Sequence, residues 1–243
     1  MAHSTTYIDG RDLERDCEAF MRFRLTYEGP LLSSKPLKDC ERDKRAAHKH
    51  TIRRVFHSQL KEFWRTNTFL SSHMMDSASK PLLPTEAQDA HWGSEAEKRP
   101  MADVLGDIYG HHDYKYVPLV RKEISLACSL RILCLRRDSH DAVLPGRDID
   151  NRIKTVIDAL TMVQHKQGQP IGEDLKPLPP GPGEVPFFVL LDDDRQVTHL
   201  EVETDTALEP DPKNPSDESF VRLVIAVEIR PYNNVNMFNL SFA

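Results

Sequence analysis

No apolar run in this chain approaches the ~20 residues that a membrane-spanning helix needs, so no transmembrane segment is expected. The opening stretch "MAHSTTYIDGRDLERD" lacks the apolar core of a secretory signal, which points to a cytoplasmic protein with no membrane partner. Cysteine is scarce. Cys17, Cys40, Cys128 and Cys134 form no Cys-x-x-Cys pair, which argues against a thiolate zinc site. Cys128 and Cys134 fall in one extended apolar run and read as reduced, buried thiols. Positive charge is not in excess either. The net charge of −6 argues weakly against a nucleic-acid binder, because phosphate contacts need cations. There is no internal repeat.

What is present is a chain of 243 residues with 39% hydrophobic and 29% charged content, enough for one domain with a real core and much loop. Charge is unevenly distributed. From Lys35 to Arg65 ten Lys/Arg oppose four acids, a local +6, with His48, His50 and His57 nearby. Acids gather instead over 184–218. A basic face on an acidic remainder is still compatible with DNA binding.

Periodicity supplies the elements. "MRFRLTYEG" alternates Met21, Phe23, Leu25 and Tyr27 against polar neighbours, a half-buried strand stopped by Gly29-Pro30. Ile52, Val55, Phe56, Leu60, Phe63 and Trp64 keep helical spacing, so a long amphipathic helix with a basic outer face follows. Residues 67–115 lose periodicity and read as an insertion with one or two short helices. "EISLACSLRILCLRR" is a strong strand. A helix follows over about 149–164, then a Pro/Gly-rich insertion over 165–190. Strands close the chain at about Gln196–Glu203 and in "FVRLVIAVEIRP". Without the insertions the order is β-α-β-α-β-β, an α/β (α+β) core. It has a small mixed sheet with helices on one face, expected as a single domain over 1–243.

The segment "GRDIDNRIKTVIDAL" carries the chemistry. Ile149, Ile153, Val156, Ile157, Leu160 and Val163 form one apolar stripe. Asp150, Lys154 and Asp158 recur every four residues and share another face. Asp148 stands just before the helix. Capping and the Asp150–Lys154 pair explain one aspartate. Two aspartates, plus the downstream cluster "LLDDDRQV", exceed what capping requires. Carboxylates from a helix start and a strand start suit a hard divalent cation such as Mg²⁺ (or Mn²⁺), which activates water at a phosphodiester. A lysine one turn away stabilises developing phosphorane charge.

"RDIDNRIKTVIDAL" followed by "LDDDRQV" resembles the RusA family of Holliday junction resolvases, whose pattern is R-D-x-D-N-x-x-K opening a helix, then D-D-x-Q-V opening a strand. Arg147, Asp148, Asp150, Asn151, Lys154 and Asp158 match the first half. Asp193, Asp194, Gln196 and Val197 match the second. The resemblance implies a homodimeric, RusA-like, Mg²⁺-dependent endonuclease acting on branched DNA. In it Asp148, Asp150 and Asp194 hold metal and activate water, and Lys154 assists the phosphate. Asp193, Asn151 and Asp158 lie beside the site. Arg147, Arg152, Lys49, Arg53 and Arg54 are candidate DNA contacts. Family members are about half this size and strongly basic, so the two insertions and the acidic balance set this chain apart. Two other readings stand beside this one. One is a non-catalytic nucleic-acid-binding module. The other is a metal-dependent hydrolase of a different phosphorylated substrate.

Overall fold

The computed structural model describes residues 21–33, 42–76, 97–111, 113–136, 149–163, 179–208 and 219–232. Among the sequence expectations, Cys17, Cys40, Arg147, Asp148 and residues 164–178 lie outside these.

The four strands expected from periodicity pair into one sheet. These are β1 (Met21–Pro30), β6 (Leu126–Arg136), β8 (Val197–Thr206) and β9 (Phe220–Pro231), in the order β1-β9-β6-β8. β9 runs antiparallel to both β1 and β6, and β6 runs parallel to β8, so the sheet is mixed as expected. The alternation in β9 decides its facing. Val221, Leu223, Ile225, Val227 and Ile229 are all buried, each contributing about 1.5–3 kcal/mol by leaving water. The residues between them face outward, where Glu228 meets Arg131 at 2.7 Å.

Two helices cover the inner face, α1 (Arg42–Thr66) and α4 (Ile149–Leu160). Ile52, Phe56, Leu60 and Trp64 of α1 and Ile153, Val156 and Leu160 of α4 join the sheet's inner residues in one core. Phe63 stacks on Phe23 of β1 at 4.2 Å between ring centroids.

The expected single sheet is incomplete. A second sheet, in the order β4-β5-β7, contains β4 (Gly110–His111), β5 (Tyr114–Val120) and β7 (Phe187–Leu191). β5 and β7 are parallel and almost wholly buried, and such strands read as continuous apolar runs without alternation. The stretch 67–115 is structured where it is described. It holds α2 (Thr68–Ser72), the β2 (Met74–Asp76) and β3 (Lys98–Pro100) pair, and α3 (Met101–Ile108), so the expectation of short helices there holds.

One edge of the main sheet is closed by a side chain. The Thr26 N–H donates to Gln59 Oε1 at 2.9 Å, and Gln59 Nε2 donates to Thr26 O at 2.7 Å. A glutamine amide thus occupies the place of a neighbouring strand's peptide. Gln59→Ala is expected to cost about 1 kcal/mol, the scale of intramolecular hydrogen bonds. Urea unfolding checks this, and an unchanged midpoint would show that the mimic carries no weight.

Two histidines of α1 lie in the aromatic cluster under β7. His57 stacks on Phe187 at 4.3 Å, and the Phe188 N–H donates to His57 Nδ1 at 2.9 Å. His50 Nε2 shares a hydrogen bond with the Tyr114 hydroxyl at 2.8 Å. Burial pushes the His50 pKa down to about 4, helped by Arg53 and Arg54, and burial lowers His57 as well. Both groups bind a proton more readily when unfolded. Their contribution to stability is therefore full above the ordinary value near 6.5 and is lost as pH falls toward 4. Asp192 opposes them, because burial raises its carboxyl to about 6 and the fold takes up its proton in the same window. Thermal unfolding is expected to move to lower temperature between pH 6.5 and pH 4, and less steeply in His50→Gln. Equal slopes in the two proteins would refute the assignment.

Candidate active site

The position of α4 is set by three anchors. Its apolar stripe packs on α1 and the sheet. The Thr155 hydroxyl donates to Leu32 O at 2.9 Å, tying the middle of α4 to the chain after β1. At its end Arg53 Nε donates to Thr161 O at 3.0 Å and Arg53 Nη2 to Asp158 O at 2.6 Å, so a guanidinium caps carbonyls that a helix end leaves free. This fixes the polar face, where Asp150 and Lys154 are exposed and Asp158 is half-buried. At a rise of 1.5 Å per residue, Asp150 and Asp158 stand ~12 Å apart along the axis.

The segment after β7 assigns a separate task to each residue of "DDDRQ". Asp192 is buried, and its N–H donates to Val120 O of β5 at 3.2 Å. Asp193 caps a short 3-10 turn: its Oδ1 accepts from the Arg195 N–H at 2.9 Å, and Gln196 Oε1 accepts from the Asp193 N–H at 3.4 Å. The matched Asp-x-x-Gln spacing is thus a capping box. Asp194 belongs to neither task, and its exposed side chain reaches the cleft beside α4.

There it meets Asp158. Partial burial raises the Asp194 carboxyl, and hydrogen bonding with Asp193 and the charges of Asp193 and Asp158 raise it further. Lys49 of α1 pairs through its ammonium with Asp158 Oδ2. Lys49, Arg53, Thr161, Asp158 and Asp194 line a cleft of ≈ 270 Å³. A second groove of ≈ 360 Å³ continues from Asp158 and Asp194 along α4 past Lys154 and Asp150. Asp158 and Asp194 therefore stand where the two openings meet.

The sequence-derived site residues distribute as follows. Asp150, Lys154, Asp158 and Asp194 share one groove. Asp193 is adjacent as expected, and its carboxylate also approaches Arg195 Nε at 3.3 Å. Asn151 is buried at the α4–core boundary rather than facing the groove. Arg152 is half-buried, and its charge adds to burial in lowering the Arg136 pKa. Asp148 and Arg147 lie outside the described residues.

The α1 cations differ from expectation. Arg53 is 6% exposed and bonded to two carbonyls, so it acts as an internal cap at the wall of the cleft rather than standing free on the outer face of α1. Arg54 pairs with Glu184 at 2.9 Å and donates to Pro179 O at 3.2 Å, and Lys61 donates to Gly183 O at 2.7 Å. These bonds fasten residues 179–184 onto α1. Lys49, Arg53, Arg54 and Lys61 are engaged by partners more than 100 residues away, a pairing no local pattern reveals. The joining of Lys49 to Asp158 is the clearest such case. Only the four-residue recurrence of Asp150, Lys154 and Asp158 hinted that Asp158 faces the cleft.

A divalent cation commonly takes one or two carboxylates with phosphate oxygens and water. Asp158 and Asp194 supply that donor chemistry, and the like charge collected around Asp194 is what such a cation neutralises. Among the described residues no three His, Cys, Asp or Glu side chains form a ready metal-binding group. No helix among them is long and apolar enough to cross a membrane. Compared with family models, curated proteins and solved structures, the chain matches none.

Proposed function

We propose that this protein is a Mg²⁺-dependent endonuclease of RusA-like type that hydrolyses phosphodiesters in branched DNA, as a cytoplasmic homodimer. The observation that supports this best is the meeting of Asp194 with Asp158 in a cleft shared with Lys154 and Asp150. The capping box engages Asp193 and Gln196, and the second sheet engages the Asp192 backbone. Of the three consecutive aspartates, Asp194 is the one that lines both openings.

In this reading Asp194 would hold the metal, with Asp158 as its partner because the two line the same openings, or with Asp148 and Asp150 as the resemblance implies. When bound, the metal supplies Lewis-acid activation of water and charge neutralisation at the phosphate. The chain's own part is to present carboxylates on a rigid helix and a capped turn. Lys154 forms no ion pair with a described residue and is placed to meet phosphate charge one turn from Asp150 and one from Asp158.

The engagement of Lys49, Arg53 and Arg54 within the fold favours one second reading, a hydrolase of a smaller phosphorylated substrate. Cleavage of a labelled four-way junction, linear duplex and single strand is the test, with Mg²⁺, Mn²⁺ or EDTA and with p-nitrophenyl phosphate alongside. Metal-dependent cutting of the junction supports the nuclease. Turnover of the small phosphate alone transfers the site to the second reading. No turnover of any substrate refutes both.

A further inference from the structure

The two edges of the main sheet are treated differently. At β1 the Gln59 amide occupies backbone groups of Thr26. At the opposite edge, β8 bonds to β6 on one side, and no described strand pairs with its other side. β8 is ten residues long, and Thr198 to Asp205 are exposed throughout except for half-buried Val202. A free edge of this length is a template for another strand.

Its two faces differ in chemistry. Leu200 and Val202 face the groove of ≈ 360 Å³ whose opposite wall is Ile149, Ile153 and Ile157 of α4. Leu200 is 42% exposed, so this apolar wall is open to solvent. By strand alternation His199, Glu201, Glu203 and Asp205 lie on the other face. A segment added to this edge would set its alternate side chains into the groove and the intervening ones beside three carboxylates.

We propose that the β8 edge binds an extended peptide of a partner protein by strand addition, and that this peptide alternates apolar and basic residues. Main-chain hydrogen bonds supply the affinity and the alternating side chains the selectivity. A second copy of this chain is the wrong occupant. In the antiparallel register centred on Glu203, self-pairing of β8 opposes Glu203 to Glu203 and Glu201 to Asp205, and like charges directly opposed are destabilising. The groove is the one that Asp150, Lys154, Asp158 and Asp194 also line, so a bound peptide would lie beside the candidate site, but the inference uses the strand edge and the apolar wall and does not rest on the nuclease reading.

The test uses the full chain and a fluorescein-labelled peptide of about ten residues alternating lysine and valine, read by fluorescence anisotropy. Saturable binding is expected. It should weaken at least about tenfold in Glu203→Lys and in Leu200→Asp, both exposed positions where folding tolerates the change. The same peptide N-methylated at every residue should not bind, since it has no N–H left to donate on either edge. No binding of the lysine–valine peptide overturns the proposal. Equal binding of the N-methylated form, or of a glutamate–valine peptide, overturns it too. A peptide-free dimer in sedimentation that Glu203→Lys abolishes would hand the edge to a second copy and overturn the partner assignment.

Discussion

Asp194→Asn is expected to lower Mg²⁺-dependent cleavage of a four-way junction by at least about 10²-fold, the scale for removing one principal electrostatic group from a reaction site. Stability should stay within about 0.5 kcal/mol, because the side chain is exposed and carries none of the turn's capping bonds. Three further variants locate the effect. Asp193→Asn keeps an acceptor for the Arg195 N–H, so it should keep both the turn and most of the activity. Asp158→Asn and Asp150→Asn separate the geometric donor set from the one implied by resemblance. These two carboxylates are ~12 Å apart along α4, too far for one ion whose ligands sit at about 2.0–2.1 Å. A loss in Asp158→Asn matching that in Asp194→Asn places the metal at the meeting of the two openings. A loss confined to Asp150→Asn moves it toward the start of the helix. Wild-type cleavage by Asp194→Asn would end the metal reading. The readout is initial rate against EDTA-treated controls, with far-UV circular dichroism to show that each variant is folded.

Parts of this architecture are legible in the sequence because the relevant forces are local. Alternation in β1 and β9 and the 3.6-residue stripe of α4 report burial directly, and the four expected strands are the four of the main sheet. β5 and β7 escape that logic. A parallel pair buried on both faces shows no alternation, and Pro118 within β5 argues locally against a strand. The site is legible to the same degree. Helical spacing puts Asp150, Lys154 and Asp158 on one face, and the groove confirms that they share it. It does not say which aspartate meets Asp194, since that depends on how the turn after β7 sits against α4. Nor does it separate structural from free cations. Arg53 and Arg54 are neighbours of the same type, yet one is sealed under α4 and the other pairs with Glu184.

That difference carries the second large effect. Arg53→Met is expected to destabilise the fold by about 3 kcal/mol. The methionine fills much of the volume but donates nothing, so the carbonyls of Asp158 and Thr161 at the wall of the cleft lose the fork that joined them. Each such group costs about 1–3 kcal/mol. The loss also removes a positive charge from the end of α4, where the helix dipole favours one. Arg53→Lys should fall between the two, because an ammonium is a point donor and does not reproduce a fork that spans two carbonyls. Urea unfolding measures both, with the midpoint falling at constant slope. The alternative role for Arg53, a contact to DNA phosphate, predicts the opposite pattern: intact stability, weaker binding and a shallower dependence of affinity on salt. Conditions below the unfolding midpoint separate the two. A stable Arg53→Met protein whose DNA affinity has dropped would mean that the guanidinium leaves its cap to meet the substrate. An unstable one whose folded fraction binds normally would fix it as the clamp that holds Asp158 in place.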